Sequence, residues 1–146
     1  MVKRSRDINI VIGIGIFAVT AIVAYWFFWF IAPGVVQART PANPDYAIYM
    51  GYELAFPLPD AFVAFAALTG VIGLWKMKDW GFLSMLLAAG GAIFLGLEDL
   101  LFDLEHQMFT PFNDAAVIEL LIVLLIMALG PTMTFLLWKH RKEFFS

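Results

Sequence analysis

The sequence predicts an all-α integral membrane protein, a four-helix up-down bundle with both termini cytoplasmic. Three observations carry this expectation. The 146-residue chain is 62% hydrophobic and only 14% charged, with a mean hydropathy of +0.86. Soluble domains run at roughly 45–50% apolar and about 25% charged, and a single domain of this length has too little interior to hide the excess, so lipid is its natural solvent. Four long apolar stretches divide the chain. Finally, four crossings place Lys3, Arg4, Arg6, Lys76, Lys78, Lys139, Arg141 and Lys142 on one side and Arg39 alone on the other, the positive-inside pattern of a multi-pass protein.

The first helix is expected over 8–32. Ile8 to Ile31 holds 24 residues without a charge, about 36 Å of helix at 1.5 Å per residue, which is enough to cross a bilayer and too long for a signal-peptide core. Its far end, Tyr25-Trp26-Phe27-Phe28-Trp29-Phe30, is aromatic on every face. That composition reads as an interfacial belt or as the wall of an apolar ligand pocket, which makes Trp26 and Trp29 candidate binding residues. Pro33-Gly34 then stops the helix.

The longest connection follows, with turn residues Pro41, Asn43, Pro44 and Asp45. A short outer-surface helix over 45–56 brings Tyr46, Tyr49, Met50 and Glu53 near one face. It lies along the membrane surface or over the bundle mouth. The second membrane helix spans 57–75, its prolines tolerated before or within the first turn. Asp60 there suits the positive end of the helix dipole. Ala66 and Gly70, four apart, favour close helix approach.

Lys76 to Asp79 makes a tight connection, and the third helix runs over 80–108, with Ala88, Ala92 and Gly96 as a second small-residue stripe. Nothing from Glu98 to Phe109 breaks a helix, so this one is expected to project beyond the bilayer core. The fourth covers 111–138, with Thr110-Pro111 as its cap and first position and a kink at Pro131. The tryptophans agree with this plan: Trp26 and Trp29 mark the outer boundary, and Trp75, Trp80 and Trp138 the inner one.

Nine of the twelve acids fall on the outer side or near it. Lys and Arg set topology while acids contribute little, so this excess needs another cause. The centre of it is Gly96 to His106. On a helix Asp99, Asp103 and His106 share one face, Glu98 and Glu105 occupy the next, and Leu97, Leu101 and Leu104 form a third stripe. Carboxylates four apart repel unless a cation or a shared proton intervenes. Glu119 is flanked by Val117, Ile118 and Leu120 inside the fourth helix, where an acid is costly unless protonated, paired or facing a polar cavity.

Two function classes follow. The first is a binding module or accessory subunit for a cation, a cationic ligand or a lipid, with Glu53, Glu98, His106, Tyr49, Trp26 and Trp29 contacting the ligand. Its partners are membrane lipids and a homo-oligomer or larger membrane complex. The alternative is a membrane-embedded enzyme, an isomerase or similar, using Glu119, Asp60, Asp99 and Asp103 as acid and base on an apolar lipid-like substrate. Asp99, Asp103 and His106 also form a possible set for a divalent metal, although the spacing lacks the His-Glu-x-x-His and Glu-x-x-His patterns of established metal helices. The chain has no cysteine, which excludes disulfides, thiolate metal sites, cysteine catalysis and Cys-x-x-Cys-His haem attachment. No basic cluster with interleaved aromatics points to nucleic acid.

Overall fold

The computed structural model describes residues 4–33 and 46–145, all helical or in turns with no strand among them. Among the described residues five α-helices follow one another: α1 (Arg6–Ile31), α2 (Tyr46–Glu53), α3 (Pro57–Trp75), α4 (Asp79–Glu105) and α5 (Asp114–Lys139), with a closing 3₁₀ turn at Arg141–Glu143. Among these described residues four segments are long and apolar enough to cross a membrane: Arg6–Ile31, Ala47–Trp75, Asp79–Glu105 and Ala116–Lys139. They make this a multi-pass membrane protein. Packing runs α1 on α3, α3 on α4, α4 on α5 and α5 back on α1. Among the described residues more of the large apolar side chains are exposed than buried, Phe65, Phe94, Leu101 and Phe135 among them, as side chains facing lipid are.

The ends of these helices follow local chemistry. Ser5 caps α1, its hydroxyl accepting from the Ile8 amide at 3.3 Å. At the end of α3, Met77 takes a left-handed conformation (φ 52°). The Lys78 amide then donates to the Gly73 carbonyl at 2.9 Å and the Met77 amide to Leu74 at 3.0 Å, the paired bonds of a Schellman stop. The same device ends α4 at Glu105, earlier than the expected 108. Gln107 adopts φ 57°, and the Met108 and Gln107 amides fold back onto Asp103 and Leu104 at 2.9 and 3.4 Å. A second difference concerns α5, which begins at Asp114 and not at Pro111. Asn113 is its cap because its side chain accepts from the Ala116 amide at 3.0 Å. The helix continues through Pro131 to Lys139.

The α3–α4 interface is the tightest in the molecule. A Cβ on Gly73 would lie 2.2 Å from the Gly81 Cα, and one on Gly70 would lie 2.9 Å from the Met85 amide nitrogen. Only hydrogen fits between the two backbones. Around this contact lies the larger core, with Ile8, Val11, Ala67, Leu74, Met85, Ala89 and Leu137 almost fully buried.

At the end where the first and last helical turns meet, Lys139 Nζ donates to Asp7 Oδ2 at 2.7 Å. His140 lies between two acids, with Nε2 2.9 Å from Asp7 Oδ2 and Nδ1 2.6 Å from Glu143 Oε1. This network occupies both ring nitrogens of His140. The Glu143 bond first, and the Asp7 bond with it, hold the His140 imidazolium above its ordinary range. Phe144 follows into the core, its ring 5.4 Å from that of Phe82.

Candidate functional site

The opposite end of the bundle gathers the carboxylates. Each helix brings its part through ordinary helical spacing. In the last two turns of α1, Tyr25 and Trp29 share a face and Trp26 lies beside them. Trp26 stands edge-on to Tyr25 at 5.1 Å and to Trp29 at 5.7 Å. These rings are more than a belt. The Tyr25 hydroxyl donates to Glu53 Oε2 at 2.8 Å, and the Trp26 indole N–H donates to Asp60 Oδ2 at 2.8 Å.

Helix α2 packs into the same end, with Tyr49 buried in a cluster with Trp29, Phe102 and Met108. Three consecutive turn bonds (Leu54 to Met50, Ala55 to Tyr52 and Phe56 to Glu53) carry it directly into α3. The Tyr49 hydroxyl shares Glu53 with Tyr25, so two phenols hold one carboxylate. Asp60 sits in the first turn of α3 but does not cap it. Phe56 occupies the cap position without a side-chain bond, and the Asp60 carboxylate is turned to Trp26.

From α4 come Asp99 and Asp103, on the face that also carries Phe102 and His106. Tyr52 lies flat on Phe102, with ring centroids 3.7 Å apart and planes within 6°. That stacking aims its hydroxyl at Asp99 Oδ1, 3.0 Å away. Asp103 is 3% exposed, and its Oδ2 has no hydrogen-bond partner among the described residues. A buried acceptor left unpaired costs about 1–3 kcal/mol, and such groups are rare enough that each one calls for an explanation. From α5, Glu119 is half-buried and within electrostatic range of Asp103, Glu53 and Asp99. Asp60 is likewise within range of Asp99 and Glu53.

The structure therefore brings together Glu53, Asp60, Asp99, Asp103, Glu119, Tyr49 and Trp26 of the residues singled out from sequence. Trp29 is buried behind them in the aromatic cluster. Glu98 is exposed. His106 stacks on Phe102 at 4.1 Å and keeps Nδ1 3.0 Å from the Phe102 carbonyl. Among the described residues no group of three or more His, Asp or Glu side chains is placed to hold a metal ion, so the Asp99, Asp103 and His106 set has spacing in its favour but not convergence.

Sequence reasoning missed Tyr25 and Tyr52. A signal for both was present. Each places a hydroxyl in an otherwise apolar aromatic setting, and a buried Tyr normally finds a hydrogen-bond partner.

The ion pairs among the described residues all lie at the far end, on Asp7 and Glu143. None reaches the five carboxylates. Among the described residues their hydrogen-bond donors are phenols and an indole, which supply no positive charge. No protein family, curated protein or solved structure matches the chain.

Proposed function

We propose that this protein binds a cation in a carboxylate-lined pocket at the outer end of an up-down helical bundle. In this reading both termini face the cytoplasm, as the eight-to-one division of Lys and Arg favours. The five carboxylates then open toward the outer leaflet. The observation that carries the reading is Asp103 Oδ2, a buried acceptor without a donor among the described residues, in a carboxylate within electrostatic range of Glu53, Asp99 and Glu119. Acids this close demand a counter-cation or shared protons, and intramembrane carboxylates generally mark ion or ligand sites. Tyr25, Tyr49, Tyr52 and Trp26 orient three of the five. A cation entering the pocket meets preset acceptors and little side-chain entropy is lost. The protein serves as a binding module or as the cation-holding subunit of a larger membrane assembly.

The test is native mass spectrometry and elemental analysis of protein purified in mild detergent, with a calorimetric titration of ethylammonium chloride. The parent should carry or take up one cation per chain. A variant with Glu119→Gln, Asp99→Asn and Asp103→Asn should lose it while keeping its helical circular-dichroism spectrum. An empty parent that takes up no ethylammonium and co-purifies with a protein partner overturns the reading and leaves a structural subunit.

A further inference from the structure

The end of the bundle opposite the carboxylates carries a device that the cation-binding reading does not use. After α5 the chain turns at His140 and continues as a short strap, residues 141–145, that reaches α4. Phe144 is buried in the larger core with Ile8, Phe82 and Leu137. Its ring lies 5.4 Å from that of Phe82, and Phe145 meets Phe82 edge-on at 5.2 Å. The strap's backbone bonds are local. The Glu143 amide donates to the His140 carbonyl at 3.0 Å and the Phe144 amide to the Arg141 carbonyl at 3.1 Å. Bonds of this 3₁₀ type tie the strap to itself and not to another helix. Side chains therefore decide whether it stays docked.

His140 is the side chain that joins it to the rest. Its Nδ1 lies 2.6 Å from Glu143 Oε1 on the strap, and its Nε2 lies 2.9 Å from Asp7 Oδ2 on α1. A carboxylate accepts hydrogen bonds and donates none. A neutral imidazole has one N–H and one lone pair, whereas an imidazolium has an N–H on both nitrogens. Only the imidazolium can donate in both directions at once. When the ring loses one proton, a nitrogen lone pair faces a carboxylate oxygen, and that contact turns repulsive.

The two acids differ in what is left to them. Asp7 keeps Lys139 Nζ at 2.7 Å, so α1 stays tied to α5. Among the ion pairs of the described residues Glu143 has His140 alone. Arg141 is engaged elsewhere, with its guanidinium over the Trp138 ring at 4.6 Å and bonded to the Trp138 carbonyl at 2.8 Å. From α4 the strap meets Phe82, which carries no charge. Loss of the proton therefore acts on the strap.

We propose that residues 140–145 form a pH-sensitive strap, closed on Phe82 while His140 bridges Asp7 and Glu143 as an imidazolium and released when the ring loses a proton. Release takes Phe144 out of the core and uncovers Phe82 at the end where α1, α4 and α5 meet. In the orientation favoured above, the strap responds to cytoplasmic pH. Glu143 and Asp7 hold the His140 proton on above the ordinary range, so the strap is closed at low pH and opens as pH rises through the folded value.

The chain has no cysteine, so Lys142→Cys supplies a single thiol at an exposed position on the strap for a nitroxide label. Electron paramagnetic resonance spectra are taken in mild detergent at about pH 5.5 and about pH 9, on either side of the ordinary histidine value of about 6.5. The label should be restricted at the lower pH and gain a narrow, mobile component at the higher. His140→Arg keeps its charge and several N–H donors at both values and should stay restricted throughout. His140→Gln should be mobile throughout, with an unchanged helical circular-dichroism spectrum. Phe144→Ala leaves the ion pairs but removes the docking ring, and it should be more mobile than the parent at the lower pH. A parent label with the same mobility at both pH values overturns the strap, as does a His140→Gln label that still follows pH. A Phe144→Ala spectrum matching the parent's overturns docking on Phe82.

Discussion

Gly73→Ala is the substitution whose effect the structure determines most sharply. The new Cβ would lie 2.2 Å from the Gly81 Cα and 2.7 Å from the Gly81 nitrogen. Ordinary van der Waals contact begins near 3.4 Å, so α3 and α4 must separate by about 1 Å. Neither offending atom can rotate away, because both belong to backbone. The movement cannot stay local either. Three residues further up α3, Gly70 faces the Met85 backbone with a clearance of 2.9 Å, and the short Schellman turn ties the helix ends together. Overpacking typically costs about 1–3 kcal/mol, and a backbone-on-backbone clash belongs at the upper end. At about 2–4 °C per kcal/mol for a chain near this size, the melting temperature should fall by roughly 6–12 °C. The control is Gly13→Ala. A Cβ there meets nothing within 4 Å, so replacing a helix-interior glycine should be neutral or should add about 0.5–1 kcal/mol. Thermal unfolding followed by circular dichroism in mild detergent reads both. A Gly73→Ala protein that melts with the Gly13→Ala protein refutes the close approach of α3 and α4.

Three further outcomes are expected. Asp103→Leu keeps the side-chain branching but removes a buried unpaired acceptor, and it should stabilise the empty protein by about 1–3 kcal/mol while abolishing ethylammonium uptake; a loss of stability would mean that the carboxylate has a structural partner. Tyr52→Phe preserves the stack on Phe102 but deletes the donor to Asp99, which should cost about 1–3 kcal/mol in the same melting assay with an unchanged helical spectrum. His140 is held above its ordinary pKa by Glu143 and Asp7. Its contribution to stability is therefore complete below the unfolded value of about 6.5 and fades as pH rises through the folded value. Melting curves taken from pH 5.5 to pH 9, a range of about three and a half units chosen to bracket that transition, should show this loss in the parent and lack it in His140→Gln; identical pH profiles would remove the ion-pair network from the stability balance.

Much of the fold was legible in the chain because the relevant signals are local. An uncharged run such as Ile8 to Ile31 states its own length, and Pro33 and Pro57 mark ends without help from distant residues. The candidate site was legible as a list of acids, since a carboxyl group among apolar residues is conspicuous wherever it stands. Glu119 and Asp103 belong to that list. The Schellman stop at Gln107 was not legible, because a left-handed residue other than glycine leaves no compositional mark. Neither was Asn113 as a cap, because Thr110-Pro111, three residues earlier, offers a cap and first helical position of its own.

What the sequence determined by itself is the number of long apolar helices and the residue types available at one end of them. What only the tertiary structure decided is the pairing: Tyr25 with Glu53, Trp26 with Asp60, Tyr52 with Asp99, and Asp103 Oδ2 with no donor among the described residues. The physical reason is that helical periodicity assigns a side chain to a face, whereas a hydrogen bond between helices depends on their relative rotation and height. Those are set by contacts such as Gly73 against Gly81, where backbones from two helices meet, and no local pattern along either helix encodes the distance between them.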